Sequence, residues 1–340
     1  QGCSTRKING FVRIRSGETI IIGQANNEFN ELFHFDDSVA KRHVRVTNRR
    51  GDLILAPLMP ERQTKIVRLD NLDYREQLER GRYHALLEVR RIYRQKIEAL
   101  PSDKALATIR EVNALLQQEP FRVKNRMGKP GGLVEISAKP TPVIVGDLHG
   151  QVDNLLKILS ENCLLDCLRM KTANLVILGD AVHSENLDEM DKFETSTLIM
   201  DLIFRLKLRF PENVFYIRGN HDSFDPEINK NSFLQGPLFR EALLEFRGPE
   251  YAQEMEKFYD SLPYIICSDT FIACHAGPPR FAVTKDDLIN IADNGKLAKE
   301  LTNNRLHRTN YPAGYSKRDV KKLRKCLGLP QKTRFFVGHT

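Results

Sequence analysis

Apolar and polar residues alternate in short runs at the start of the chain: residues 11–15, 19–22, 43–47 and 52–58. A period of two puts one face of a strand on a core and the other in water. Ser16-Gly17, Asn26-Asn27 and Arg50-Gly51-Asp52 fall between the runs as turn signals. Residues 1–69 are therefore expected to form a small, antiparallel β-rich unit. The period then lengthens. Leu86, Val89, Tyr93 and Ile97, followed by Leu106, Ile109, Val112 and Leu116, recur at helical spacing. Pro101-Ser102 interrupts them, and Ser102 can cap a second helix, so residues 70–130 are expected to hold a charged helical hairpin and a linker. Glycine and proline crowd residues 127–132, which predicts a domain boundary there. From 131 to 340, strand-like runs alternate with helical stretches, an α/β pattern. No run approaches the roughly 20 apolar residues that a transmembrane helix needs.

The polar motifs of this last region lie where its apolar runs end. Residues 143–145 run into Gly146-Asp147-Leu148-His149-Gly150, and residues 175–178 into Gly179-Asp180. Residues 214–217 lead to Arg218-Gly219-Asn220-His221-Asp222, 271–274 to His275-Ala276-Gly277, and 335–337 to Gly338-His339. In an α/β sheet, groups outside the carboxyl ends of the strands sit where ligands bind. Carboxylates, an amide oxygen and imidazoles are the donors that a divalent cation takes. Asp147, His149, Asp180, Asn220, His275 and His339 are the expected ligands, and Asp180 can bridge two ions through its two oxygens. Such a pair of ions suits in-line displacement at phosphorus.

The order GDLHG, GD, RGNHD, HAG, GH resembles the PPP phosphatases within the calcineurin-like metallophosphoesterases, over about residues 140–340. The resemblance implies a β-sandwich flanked by helices, two divalent metal ions, and single-step hydrolysis of phosphomonoesters by attack of a bridging water. It assigns Asp147, His149 and Asp180 to the first ion. Asp180, Asn220, His275 and His339 go to the second, and His221 becomes the general acid. The ions are expected to be manganese, with iron, zinc or cobalt accepting the same ligands. Where the family continues Val-Asp-Arg-Gly after the second motif, this chain has Val182-His183-Ser184-Glu185. His183 thus replaces the carboxylate that orients the acid, and the phosphate-gripping arginine is missing. Arg218 and Arg308 are the expected substitutes, with Arg305 competing with Arg308. The altered second motif, the Val-Gly-His-Thr ending and the helical hairpin resemble the bacterial, WipA/WipB-like effector branch of the family. That branch implies a chain secreted into a host cytosol. Family members also continue beyond the last histidine, so further natural sequence is expected after residue 340. Residues 17–58 bear a fainter likeness to forkhead-associated domains, which bind phosphothreonine. His43, Lys41 and Arg42 match that pattern, whereas Gln24 and Ala40 stand where its arginine and serine would be.

Charge changes the picture of partners. Residues 1–130 hold 25 Lys and Arg against 16 Asp and Glu, and residues 131–340 hold 27 against 28, so the overall +8 comes from the N-terminal part. An anionic protein or lipid partner is expected there, beside a phosphoprotein substrate at the metals; no motif points to nucleic acid. The acids Glu185, Asp188, Glu189, Asp191 and Glu194 follow the second motif and can border the cleft or form a solvated face. Six scattered cysteines suit a reducing, cytoplasmic compartment. The first residue is Gln with no leader after it, which suggests a processing boundary. Two rival functions remain: a small-molecule hydrolase such as a diadenosine tetraphosphatase, and a scaffold with a decayed site. Because every expected ligand lies beyond residue 131, a fragment starting there is expected to retain the chemistry.

Overall fold

A computed structural model describes residues 14–24, 39–61, 64, 72–93, 97–185, 192–228, 233–309 and 311–339. Asn26, Asn27, Asp188, Glu189 and Asp191 lie outside them. The chain forms two compact units, residues 1–87 with 158–167 and residues 88–157 with 168–340. No helix among the described residues is long and apolar enough to cross a membrane.

In the first unit, β1 (Thr19–Ile22), β2 (Val44–Arg49) and β3 (Asp52–Pro57) form an antiparallel sheet in that order. The alternation has the expected result: Ile20, Val44 and Val46 are buried on one face, with Ile14, Ile22 and Leu55 against them. Arg50 and Gly51 both have positive φ, 54° and 103°, as a two-residue hairpin turn requires. α1 (Leu72–Tyr93) crosses from this unit into the next.

The second unit is built on two sheets. β6 (Thr141–Val145), β7 (Ala173–Ile177) and β8 (Val214–Tyr216) run parallel in that order. β4 (Arg122–Lys124), β5 (Pro130–Glu135), β9 (Ile265–Cys267), β10 (Phe271–Cys274) and β11 (Arg334–Val337) form a mixed sheet, order β11-β10-β9-β5-β4. Strand periodicity sorts their side chains. Val134, Ile266, Phe271 and Ala273 face Val176, Phe215 and Ile217 of the parallel sheet, giving the sandwich core. Leu133, Ile265, Cys267, Ile272 and Cys274 point the other way, onto Leu288 of α8 (Lys285–Ile289), Leu297 and Leu301 of α9 (Gly295–Asn303) and Leu323 of α10 (Lys317–Cys326).

Two expectations change here. Residues 127–132 do not separate domains, because β4 and β5 pair across residues 125–129 as an antiparallel hairpin within one sheet. α2 (Ser102–Gln117) likewise belongs to the second unit, packing against α5 (Glu194–Arg209), α6 (Gln235–Arg247) and α7 (Pro249–Ser261). The apolar stripe Ala105, Ile109, Val112, Leu116 is the buried face that holds it there. Buried ion pairs fasten both ends. Asp201 accepts from Arg247 at 2.8 Å and from the backbone N–H of Leu100 at 2.7 Å. Lys207 pairs with Glu119 and donates to the carbonyls of Val214 and Pro211 at 2.8 and 2.9 Å.

Candidate active site

The turns after β6, β7, β8, β10 and β11 converge, and local backbone chemistry explains how. Three polar residues sit in the left-handed region: His149 at φ 43°, Asp180 at 51° and His183 at 66°. That conformation costs energy for side chains with a Cβ and is concentrated at functional sites. Gly179, at φ 93°, packs so close to the next motif that a Cβ would meet the Gly219 nitrogen at 2.4 Å; one on Gly219 would strike Asp180 Oδ1 at 2.1 Å. Asp222 joins the same two loops. Its Oδ2 accepts from the backbone N–H of Gly219 at 2.7 Å and of Asp180 at 3.1 Å, while Oδ1 accepts from the Tyr216 hydroxyl at 2.7 Å. Nothing local in the sequence assigns Asp222 or Tyr216 a role; the one signal is an acid directly after Asn220-His221.

Ligand-type atoms of Asp147, Asp180, His275 and His339 lie within 4.8 Å of one another. Asn220 joins them through Oδ1, which accepts from His275 Nε2 at 2.9 Å. His275 Nδ1 donates to the Leu178 carbonyl at 2.7 Å, which turns Nε2 toward Asn220 and Asp180. His149 is oriented the same way: Nδ1 donates to the carbonyls of His183 and Val182 at 3.1 and 3.3 Å, leaving Nε2 for the site. This anchoring of one ring nitrogen by a carbonyl is how metal-binding histidines are held. Asp147 Oδ1 and Asp180 Oδ2 are buried without a hydrogen bond, Asp180 Oδ2 lying 3.2 Å from its ion-pair partner His275 Nε2. A divalent cation would satisfy both, so the donor set fits the metals that the motifs suggest.

The electrostatics follow from these contacts. Burial pushes His275 down, but Asp180, Asp147 and the Leu178 carbonyl outweigh it and raise it to about 9. Burial pushes Asp180 up, yet His275 and the His221 N–H hold it well below the usual carboxylate range. Burial raises Asp147. Burial, then His275 and Arg305, push His339 down to about 4. Asp222 is raised to about 6 by burial and by Asp180.

A cavity of about 820 Å³ opens over this cluster, lined by Asp147, His149, Asp180, Asn220 and His339 together with His221, Glu185, Asn303, Arg305 and Tyr311. The ring of His221 stands edge-on to His149, 5.1 Å between centroids, and its Nδ1 is 3.0 Å from His183 Nδ1. His183 is buried against Phe193 and Phe239. Burial, reinforced by His221, holds it well below the ordinary imidazole value and therefore neutral. Of the arginines considered for phosphate, Arg218 turns away: it donates to the Tyr259 carbonyl at 2.9 Å, meets Asp260 at 3.3 Å and lies over the Tyr264 ring. Neither Arg218 nor Arg308 lines the cavity. Arg305 does, with Nε donating to His339 Nε2 at 3.2 Å. Of the acidic run after the second motif, Glu185 lies at the cavity, with Oε1 3.7 Å from His149 Nε2.

A sandwich whose strand ends converge on a carboxylate and imidazole cluster defines a metallophosphoesterase. Residues 141–337 match the calcineurin-like phosphoesterase family, and the chain belongs to it. Among similar proteins, the serine/threonine-protein phosphatase PP1-delta of Caenorhabditis elegans is 31% identical over 107 residues, 32% of this chain and 30% of that protein. The PP2A-like phosphatase PPG1 of Candida albicans is 32% identical over 144 residues, 42% of this chain and 30% of the relative. The chain thus aligns with about a third of the length of these relatives. In fold it is similar to a Saccharomyces cerevisiae protein serine/threonine phosphatase described as resembling human PP5, with a TM-score of 0.51 and 17% identity over 71% of this chain and 78% of that one.

Proposed function

We propose that the protein is a phosphoprotein phosphatase that hydrolyses phosphomonoesters with two divalent cations, manganese by preference. Asp147, His149 and Asp180 would hold one ion; Asp180, Asn220, His275 and His339 the other. The observation that carries the proposal is the convergence of four ligand-type side chains within 4.8 Å, with two buried carboxylate oxygens that accept no hydrogen bond of good geometry, under a cavity that also presents His221. Bound ions of this kind supply Lewis acidity, which lowers the pKa of water and neutralises charge on phosphoryl oxygens. The chain's own residues do the rest. Arg305 grips the phosphate with its guanidinium fork. Its place in the cavity favours it over Arg218 and Arg308. His221, held at Nδ1 by His183, presents its other nitrogen to the leaving oxygen and protonates it. The spelling around Val182-His183-Ser184 supports the bacterial effector branch, and with it action in a host cytosol.

His221→Asn tests the reading. It should leave metal content unchanged and lower turnover by roughly 10²–10⁴-fold, with alkyl phosphates losing more than aryl phosphates because an alkoxide needs the proton more. Equal loss for both would refute the acid role. Phosphopeptides and dinucleotides assayed side by side on the wild type separate a protein phosphatase from a small-molecule hydrolase.

A further inference from the structure

Charge in residues 131–340 is segregated along the chain. Residues 131–300 carry 17 Lys and Arg against 27 Asp and Glu, whereas residues 301–340 carry 10 against one. The one acid, Asp319, is used internally: it is buried, closes the capping box with Ser316 at the start of α10, and accepts from Lys322 at 3.2 Å. The apolar side of α10 is consumed as well, since Leu323 and Leu327 are buried in the core. What α10 shows to solvent is Lys317, Arg318, Lys321, Lys322 and Lys325, and Lys332 is exposed beyond it.

This basic face begins at the catalytic cavity. Arg305 lines the cavity, and its carbonyl accepts from the Tyr315 N–H at 2.9 Å. Bridges between Leu306 and Tyr315 and between Arg308 and Tyr311 close the segment into a tight hairpin. Gly314 allows that closure, because a Cβ there would meet the His307 nitrogen at 2.4 Å. Lys317 follows Tyr315 by two residues, so its backbone lies within about 7 Å of the hairpin. The hairpin also exposes Leu306 and Tyr311, and Tyr311 lines the cavity. An extended peptide advances about 3.3 Å per residue. With a phosphorylated residue in the cavity, side chains three to six positions away reach roughly 10–20 Å, a span comparable to the length of α10.

We propose that the exposed face formed by Arg308, Lys317, Arg318 and Lys321 docks an acidic polypeptide segment flanking the phosphorylated residue. The proposal rests on the phosphatase reading and names its substrate class. Residues 131–300 are net negative and repel such a segment, so the face both attracts acidic substrates and sets their direction across the cavity.

The test uses the full chain loaded with manganese and one phosphopeptide core with acidic, neutral or basic flanks, at low ionic strength. The wild type should favour acidic over basic flanks by about tenfold in kcat/KM, the scale of a few exposed charge pairs, and added salt should erase the preference. The triple variant Lys317→Glu, Arg318→Glu, Lys321→Glu should lose or invert it while keeping wild-type kcat/KM on a small aryl phosphate. Its neutral counterpart, with Gln at all three positions, should give an intermediate ranking and guards against a folding defect. An unchanged peptide ranking in both variants overturns the proposal. So does a wild-type preference for basic flanks, or a variant that loses only its binding to phosphatidylserine vesicles. A metal-loaded wild type that leaves the aryl phosphate intact rejects the phosphatase reading instead.

Discussion

Asp222 fixes the two loops that carry Asp180 and Asn220, since its two oxygens accept from two backbone N–H groups and one hydroxyl. In Asp222→Asn the side-chain NH2 must face one of those donors. The expected cost is about 1–3 kcal/mol of stability and about 10–100-fold in metal affinity. Urea unfolding together with a manganese titration measures both, and wild-type values would show that the loops hold without it. At His183 a carboxylate would favour a protonated His221, whereas the imidazole present is neutral and only positions it. His183→Asp should therefore lower the aryl-to-alkyl ratio of kcat/KM through a gain on the alkyl substrate; an unchanged ratio contradicts this. The metal-ligand residues were legible as candidates because each lies within four residues of the end of an apolar run. Asp222, Tyr216 and the cavity position of Arg305 were not, because nothing local in the sequence tells which way a side chain turns after its strand.

The elements show where local pattern was enough and where it failed. Period-two alternation gave the first sheet, and helical spacing gave α1 and α2. Spacing cannot say what a helical stripe packs against, however, and α2 belongs to α5, α6 and α7. The glycines and prolines of residues 127–132 likewise mark a turn between paired strands. The expectation that a fragment from residue 131 retains the chemistry therefore changes. Such a fragment exposes the face that covered α2 and leaves Lys207 buried without Glu119. It should fail to fold, whereas one beginning near residue 97 should melt cooperatively and hydrolyse an aryl phosphate. Circular dichroism melts of the two fragments decide it, and a cooperative melt of the shorter one would contradict the packing argument. Within the full chain, Lys207→Met strands Glu119 in the interior and should cost about 3–5 kcal/mol in urea unfolding; a change below about 1 kcal/mol would show the pair to be incidental.

For the whole molecule, composition indicated a basic N-terminal part but hid the stronger asymmetry within residues 131–340, where an acidic stretch and a basic end nearly cancel. The family fold brings five strand ends to one place, so that residues 192 positions apart, Asp147 and His339, share a site. Everything proposed about activity depends on two ions held there, with Asp180 between them. The most direct measurement is the metal content and aryl phosphatase activity of wild type and Asp180→Asn, each stripped with chelator and reloaded with manganese. Two ions per wild-type chain with restored turnover are expected, and fewer ions with no turnover in the variant. A wild type that takes up no metal, or an Asp180→Asn protein that binds two ions and turns over normally, would contradict this expectation.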